Sequence, residues 1–546
     1  MNIPPPVFLV LGLSLPIDDE VKPLIERISQ ENVGHHLQVL ADDSLEGRAT
    51  GSRGEAKAAS YIANQLQAYG IKPLGDGGSF FQNFPLHGSL PLADSQLNFF
   101  WQESSRTLKL WDDYILYNPG VQTFIPTRLP LVFVGYGILA PEYDYNDYRL
   151  LNVENKIVVF LSGEPLSTDA NYFDGENPTV YSDPSMKFRI ALSRGARGSI
   201  MLPLPRERRF LDWNYWLTQF AFEDIKSPYG ISDNLNVLLN LQQADFLFKD
   251  SDFQLEEILS LDSSGVMRSF PLQVSASFSG KFRERDFMVA NVAGRLEGSD
   301  ALLKDSYLII SAHYDHLGIG VPTQGDSIYN GAVDNAIGVA GLLELARAFS
   351  TLPVTPSRSI IFLFLTGEEK GLLGSRYYCD HPLVPLHKTV ANLNVDGLAI
   401  FEQFNSVSGV GADLSTLGEM LKSAAEKMGL TVSPIPAVFL EKEPFYSSDQ
   451  FSFAQAGIPA MLVMEGIDYR NTSAPAGLRR FVEWGRTVYH SPFDDLSQDI
   501  NLAAVRQHLQ LLLVFANQIA NTYIPPQWLP GSRYINPRLQ SMAEGR

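Results

Sequence analysis

Four stretches between Ser311 and Gly397 carry the reading of the fold: SAHYDHLGIG (311–320), GAVDNAIGVAGLLELARAF (331–349), SIIFLFLTGEEKGLLGS (359–375) and TVANLNVDG (389–397). Short apolar runs alternate with polar clusters of His, Asp and Glu, and each cluster begins where a run stops. Tyr307–Ala312, Ser359–Leu365 and Val390–Val395 have the length and apolarity of strands buried on both faces of a parallel sheet. Between the first two, Val339, Leu342, Leu343, Ala346 and Phe349 fall at helical spacing. Strand, helix, strand is therefore predicted, joined by a right-handed parallel crossover.

In open α/β sheets the ligand crevice lies beyond the carboxyl ends of the strands. His313 and Asp315 follow the first strand, Glu368 and Glu369 the second, and Asp396 ends the third, while Asp334 precedes the crossover helix. These groups predict a metal site on one rim of the sheet. Asp315 can accept from the ring nitrogen of His313 that faces away from a metal and so set the tautomer. Glu368 and Glu369 are adjacent and diverge, so one can bind metal while the other addresses a water. Asp334 with Asn335 can also cap the helix, and Asp396 can also shape a turn before Gly397. A last ligand is offered by VYHSPFDDLS (488–497), where His490 has Asp494 and Asp495 close behind. The other histidines lack comparable company, His316 being the nearest decoy on its loop.

At 546 residues the chain is expected to hold two or three domains with a large core. Asp and Glu number 61 against 42 Lys and Arg, a net charge of −19, and there is no long basic cluster. That argues against nucleic acid and anionic membrane surfaces as partners. One cysteine, Cys379, permits neither an intrachain disulfide nor a thiolate zinc site, so any metal must be held by imidazole and carboxylate. Beside Tyr377 and Tyr378, it reads as a structural thiol.

Residues 1–20 read as an apolar leader or a signal-peptide remnant: the run Val7–Leu15 has the length of a signal-peptide core without preceding Lys or Arg, and is too short to cross a bilayer. An extracytoplasmic location, periplasmic or secreted, is expected, with a cytoplasmic one as the alternative. Residues 21–119 read as the first part of the catalytic domain. Helices are expected between Glu26 and Pro73, most clearly in EAKAASYIANQLQAYGIKP (55–73), and strands over 80–117. The loop LADDSLEGRATGSRG (40–54) is expected to put Glu46 and Arg48 at the surface or a cleft. A linker over 119–130 opens an inserted, mostly β domain at 120–275, with a helix near 186–194. Residues 276–523 resume the catalytic domain, and the Pro-rich tail 524–546 is expected to be irregular.

HYDHLG (313–318), YNGAVDNAIGVA (329–340), TGEEKGLLGS (366–375), NVDG (394–397), SSDQFSFAQAGIPA (447–460) and YHSPFDD (489–495) together resemble peptidase family M28. This family of two-zinc aminopeptidases also includes glutamate carboxypeptidases and glutaminyl cyclases. The likeness covers about 286–523, and residues 40–62 resemble the family's amino-terminal segment. The 120–275 insert resembles the protease-associated (PA) domain of many bacterial members, especially at LVFVGYGILAPEYDYNDY (131–148) and around RGARGSIMLPLP (194–205).

The resemblance implies an α/β fold with a mixed, mostly parallel sheet flanked by helices, of the zinc-peptidase or phosphorylase/hydrolase-like kind. It implies two Zn2+ ions, for which Co2+ or Mn2+ can substitute in a His and carboxylate site. By position, His313 and Asp396 would hold one zinc, Glu369 and His490 the other, and Asp334 would bridge them. Glu368 would be the general base, and Asp315 would orient His313. The family's carbonyl-binding tyrosine would be Tyr489, preferred over Tyr446 for its adjacency to His490. Where relatives commonly have Ser-Asp-His, this chain has Ser448, Asp449 and Gln450.

The implied activity is that of a metallo-aminopeptidase acting on peptide or aminoacyl substrates. A glutaminyl cyclase and a carboxypeptidase are alternatives on the same scaffold; the latter needs cations for a terminal carboxylate, and Lys370, Arg376 and Lys442 are the nearest in sequence. A receptor-like relative would be expected to lose ligands, and a phosphoesterase would want more His and Asn around its metals.

Overall fold

Tyr307–His313, Ser359–Leu365 and Thr389–Asn394 are strands in the computed structural model, with the first lying between the other two and parallel to both. The structure describes residues 17–545 except 118–123, 170, 176–178, 207–212, 229–233, 263–266 and 441–443. The apolar leader therefore falls outside the described residues. Every residue of the first two strands is buried, and their side chains alternate between two cores. Leu308, Ile310, Ala312, Ile360, Phe362 and Phe364 enter one, while Tyr307, Ile309, Ile361, Leu363 and Leu365 enter the other. Burial on both faces is why the runs read as continuously apolar.

The chain divides into two compact units. The first takes the chain up to Phe84, Val289–Ile319 and everything from Ile328 onward. Its sheet runs Phe282–Leu296, Ser359–Leu365, Tyr307–His313, Thr389–Asn394, Ala460–Glu465, Ser406–Val410, Thr431–Val432. The second to fifth of these are parallel, and Phe282–Leu296 and Ser406–Val410 run antiparallel to them. The crossover helix Ile337–Ser350 and the long helix Leu502–Asn521 pack on one face. Asn501 caps the latter by accepting from the N–H groups of Ala503 and Ala504. Leu373–Asp380 and Gln450–Gln455 put Tyr378 and Phe453 on the other face. In register, His313 lies opposite Leu365 and Ser311 opposite Asn394. The three carboxyl ends are therefore nearly level, and His313, the 367–369 turn and Asp396 emerge together.

The second unit comprises Pro85–Met288 and Gly320–Ser327, wider than the insert expected at 120–275. The reason is strand pairing: Gln96–Trp101 pairs with Ser269–Ser279, and Tyr114–Leu116 pairs with Leu235–Leu239. Edge segments read as part of the catalytic domain thus complete an eight-stranded sheet of the insert. Phe124–Val134 is a strand of that sheet, so the expected linker is partly regular structure, and the predicted helix is present at Pro184–Ser193.

The tail is also corrected. Ile535–Glu544 is a helix, and Pro537 sits in its first turn, where an N–H has no intrahelical partner to lose. Arg538 donates to the carbonyl of Leu386 at 3.1 Å, which docks the helix.

Candidate metal centre

Strand ends deliver the donors, and a network of buried polar groups holds them. His313 closes its strand and is 1% exposed. Its Nε2 lies 3.3 Å from Asp334 Oδ1 and 3.2 Å from Asp396 Oδ1. The other carboxylate oxygen of Asp334 lies 3.2 Å from Nε2 of His490, which is also 3.2 Å from Glu369 Oε2. Asp334 thus stands between two imidazoles, one oxygen to each. His313, Asp334 and Glu369 alone offer ligand atoms within 4.8 Å of one another, a group able to hold a metal ion. His490 adopts φ of 54°, in the left-handed region that most non-glycine residues avoid.

Glu368 and Glu369 meet different charged neighbours, and their environments separate them. Burial and Asp334 oppose ionisation of Glu369, yet the imidazoles of His490 and His316 hold its carboxyl down at about 2. Burial pushes Glu368 well above the usual carboxylate range; His313 works against that shift, while Asp396 and Glu369 add to it. Burial alone would lower the pKa of His490, but Glu369 and Asp334 raise it to about 10. Together Asp334, Glu368, Glu369 and Asp396 make a carboxylate-rich pocket whose negative charge calls for a cation.

Several supports carry no local sequence signal. Asn335, rather than Asp334, caps the crossover helix: its Oδ1 accepts from Gly338 N at 3.1 Å and from Gly397 N at 2.9 Å. Its Nδ2 donates to the carbonyl of Val395 at 2.8 Å, so one amide ties the Asp334 segment to the Asp396 turn. Asp494 accepts the N–H groups of Val333 and Asp334 at 2.8 and 3.0 Å, clamping the Asp334 backbone to the His490 loop. A Cβ at Gly331 would meet Asp334 O at 2.1 Å and the His316 ring at 2.5 Å, so only glycine fits between them.

Three expectations change in detail. His316 was set apart as a decoy without acidic company, but it is fully buried, with Nδ1 2.7 Å from Glu369 Oε1, on the oxygen turned away from His490. Asp315 meets His313 Nδ1 through its backbone carbonyl at 3.2 Å, while its carboxylate is 3.8 Å away. That carboxylate instead accepts from Thr50 Oγ1 at 2.9 Å and Glu368 N at 3.2 Å. Arg48 is buried and not at a cleft; it donates to the carbonyls of Leu40, Tyr314, Asn330 and Gly331, and Glu46 alone is exposed.

Tyr489 stacks on His490 with ring centroids 3.9 Å apart and lines the cavity that also contains Asp334 and Asp396. Tyr446 instead pairs with Arg533 and does not line that cavity. Gln450 spans Asn394 and the carbonyls of Pro444 and Phe445. Burial raises the Cys379 thiol, in keeping with a structural role.

The mixed sheet with helices on both faces is the fold of known aminopeptidase structures. The aminopeptidase from Aneurinibacillus sp. strain AM-1 aligns over 93% of this chain and 97% of its own, with a TM-score of 0.58 and 19% identity. BSAP, a zinc aminopeptidase from Bacillus subtilis, aligns over 91% and 97% with a TM-score of 0.50 and 18% identity. Residues 291–516 match the model of Peptidase family M28. Leupeptin-inactivating enzyme 1 of Streptomyces exfoliatus is 30% identical over 211 residues, 37% of this chain and 45% of that protein. The vacuolar membrane protease of Vanderwaltozyma polyspora is 30% identical over 183 residues, 33% of this chain and 18% of that protein. The chain therefore spans less than half the length of these two curated relatives.

Proposed function

We propose that the protein is a zinc-dependent aminopeptidase that removes the first residue of peptides with a pair of metal ions. The observation that carries this reading is Asp334 addressing His313 and His490 with separate oxygens at 3.3 and 3.2 Å. A charge-assisted hydrogen bond closes to about 2.7–2.9 Å. Ligands about 2.0–2.1 Å from one zinc in tetrahedral array stand about 3.3 Å apart. The His313–Asp334, His313–Asp396, His490–Asp334 and His490–Glu369 contacts, at 3.2–3.3 Å, all keep the metal-ligand spacing.

When bound, such a metal pair lowers the pKa of a water to about 7 and polarises a carbonyl. Glu368, excluded from both sets and raised in pKa, accepts a proton from the attacking water and returns it to the leaving amine. Burial and then the neighbouring carboxylates push the Tyr489 hydroxyl well above its ordinary range, so it stays a donor for the substrate carbonyl oxygen. A free α-amino group finds a negative rim, which confines cleavage to the first residue, whereas among the described residues no Lys or Arg lines the cavity to hold a terminal carboxylate. Residues 120–275 are read as PA-like, and the location as extracytoplasmic. Among the described residues no helix is long and apolar enough to cross a membrane.

Screening aminoacyl and peptide substrates with metal analysis tests this. Release of amino-terminal residues by protein holding two zinc ions is expected; cleavage only inside chains, or cyclisation of Gln-initiated peptides by protein with one zinc, overturns it.

His490→Ala should empty one of the two sites. His316→Ala removes only a support of Glu369, so both sites should fill at saturating zinc while turnover falls. Metal analysis beside steady-state rates separates the two; the reverse occupancies would show that His316 is the ligand.

Zinc binding should also release protons. With its pKa near 10, His490 is an imidazolium in metal-free protein at pH 7, and only the neutral ring binds metal. Affinity at that site should fall by about tenfold per pH unit below 10. Calorimetric titration in buffers of different ionisation enthalpy measures the release, and binding without released protons contradicts it.

A further inference from the structure

The cavity beside the candidate metal centre, about 120 Å³, has apolar walls from Leu398, Ile400, Phe401, Phe481 and Trp484. Asp334 and Asp396 also line it, so whatever fills it lies against the reacting groups. One further carboxylate belongs to the same lining and has no role in the reaction just described: Glu465, the last residue of the strand Ala460–Glu465. Side chains on a strand alternate, so Glu465 shares a face with Met461 and Val463, both packed in the core with Leu398 and Ile400. The acid therefore faces the apolar cavity. Among the described residues, no Lys or Arg lines it. The lining imidazole, His508, is buried and accepts the Ala399 N–H at Nδ1, and burial holds its pKa down at about 4, so it supplies no positive charge.

We propose that this cavity receives the side chain of the substrate's first residue and that Glu465 makes it selective for a long cationic side chain, lysine or arginine. The inference rests on the aminopeptidase reading. A lysine or arginine stem covers apolar walls while its charged head seeks a carboxylate, and this cavity presents both features. Burial pushes the empty carboxyl up to about 7. An arriving cation favours its ionised form and turns that desolvation into a selective contact.

The test uses p-nitroanilides of lysine and of norleucine, which has the same four-carbon stem without the ammonium group, on the zinc-loaded full chain. Wild-type protein should prefer lysine, and Glu465→Gln should cut kcat/KM for lysine by about 10- to 100-fold, mainly through KM, with norleucine changed less than about threefold. Calorimetric titration with free L-lysine and L-norleucine should give the same ranking without turnover. Equal wild-type use of the two substrates, or an equal fall on both in Glu465→Gln, overturns the assignment while leaving the aminopeptidase reading intact. Failure to cleave any aminoacyl substrate removes that reading, and the inference with it.

Discussion

Glu368→Gln is expected to keep both metal ions and to lose about two to four decades of turnover, the usual worth of a positioned acid or base. Glu368 comes from the same turn as Glu369, yet only Glu369 has its oxygens on His316 and His490. The Glu368 backbone N–H donates to Asp315 at 3.2 Å, which fixes the turn without using the Glu368 side chain. Gln has the size and one oxygen of Glu but accepts no proton at neutral pH, so the substitution removes the proton carrier and leaves the turn in place. Metal analysis of the purified variant should read as wild type, and kcat should fall with little change in KM, because the interaction exists only while the proton moves. Wild-type-like turnover in a fully metallated variant would remove Glu368 from the chemistry.

The elements legible in the sequence are those whose environment repeats along the chain. Tyr307–His313 and Ser359–Leu365 are buried on both faces, and that alone makes them continuous apolar runs. The crossover helix announces itself by its period, and the His and carboxylate groups at strand ends follow from where the runs stop. Arg48 was misread because its partners, the carbonyls of Tyr314, Asn330 and Gly331, lie more than 260 positions away. Backbone carbonyls leave no trace in the residue types. His316 and Asp494 sit on loops, where no periodicity says which side chain turns inward. The limits of the second unit were misplaced for a similar reason: Gln96–Trp101 alternates as any half-buried strand does, and only its pairing with Ser269–Ser279 assigns it.

On the proposed two-metal reading Asp334→Asn should have the broadest effect, since one change would weaken both sites. The residue offers Oδ1 to His313 and Oδ2 to His490, so the amide replaces one of two ligating oxygens with a donor. It would also remove a negative charge from between the two proposed cations, which would repel by about 4 kcal/mol at 4 Å even at an effective dielectric of 20, before their double charges are counted. The fold should survive. Asp494 grips the backbone N–H of residue 334, which Asn retains, and the helix is capped by Asn335 Oδ1 on Gly338 N. That separation of roles makes the variant a clean discriminator: a residue acting only as a helix cap would tolerate Asn, because Asn and Asp cap about equally well. Zinc should raise the Tm of the wild type, as any ligand of the native state does. In Asp334→Asn that rise should disappear together with activity, while the Tm in chelator stays close to wild type. Calorimetric zinc titration returning two sites of unchanged affinity would defeat the bridging role.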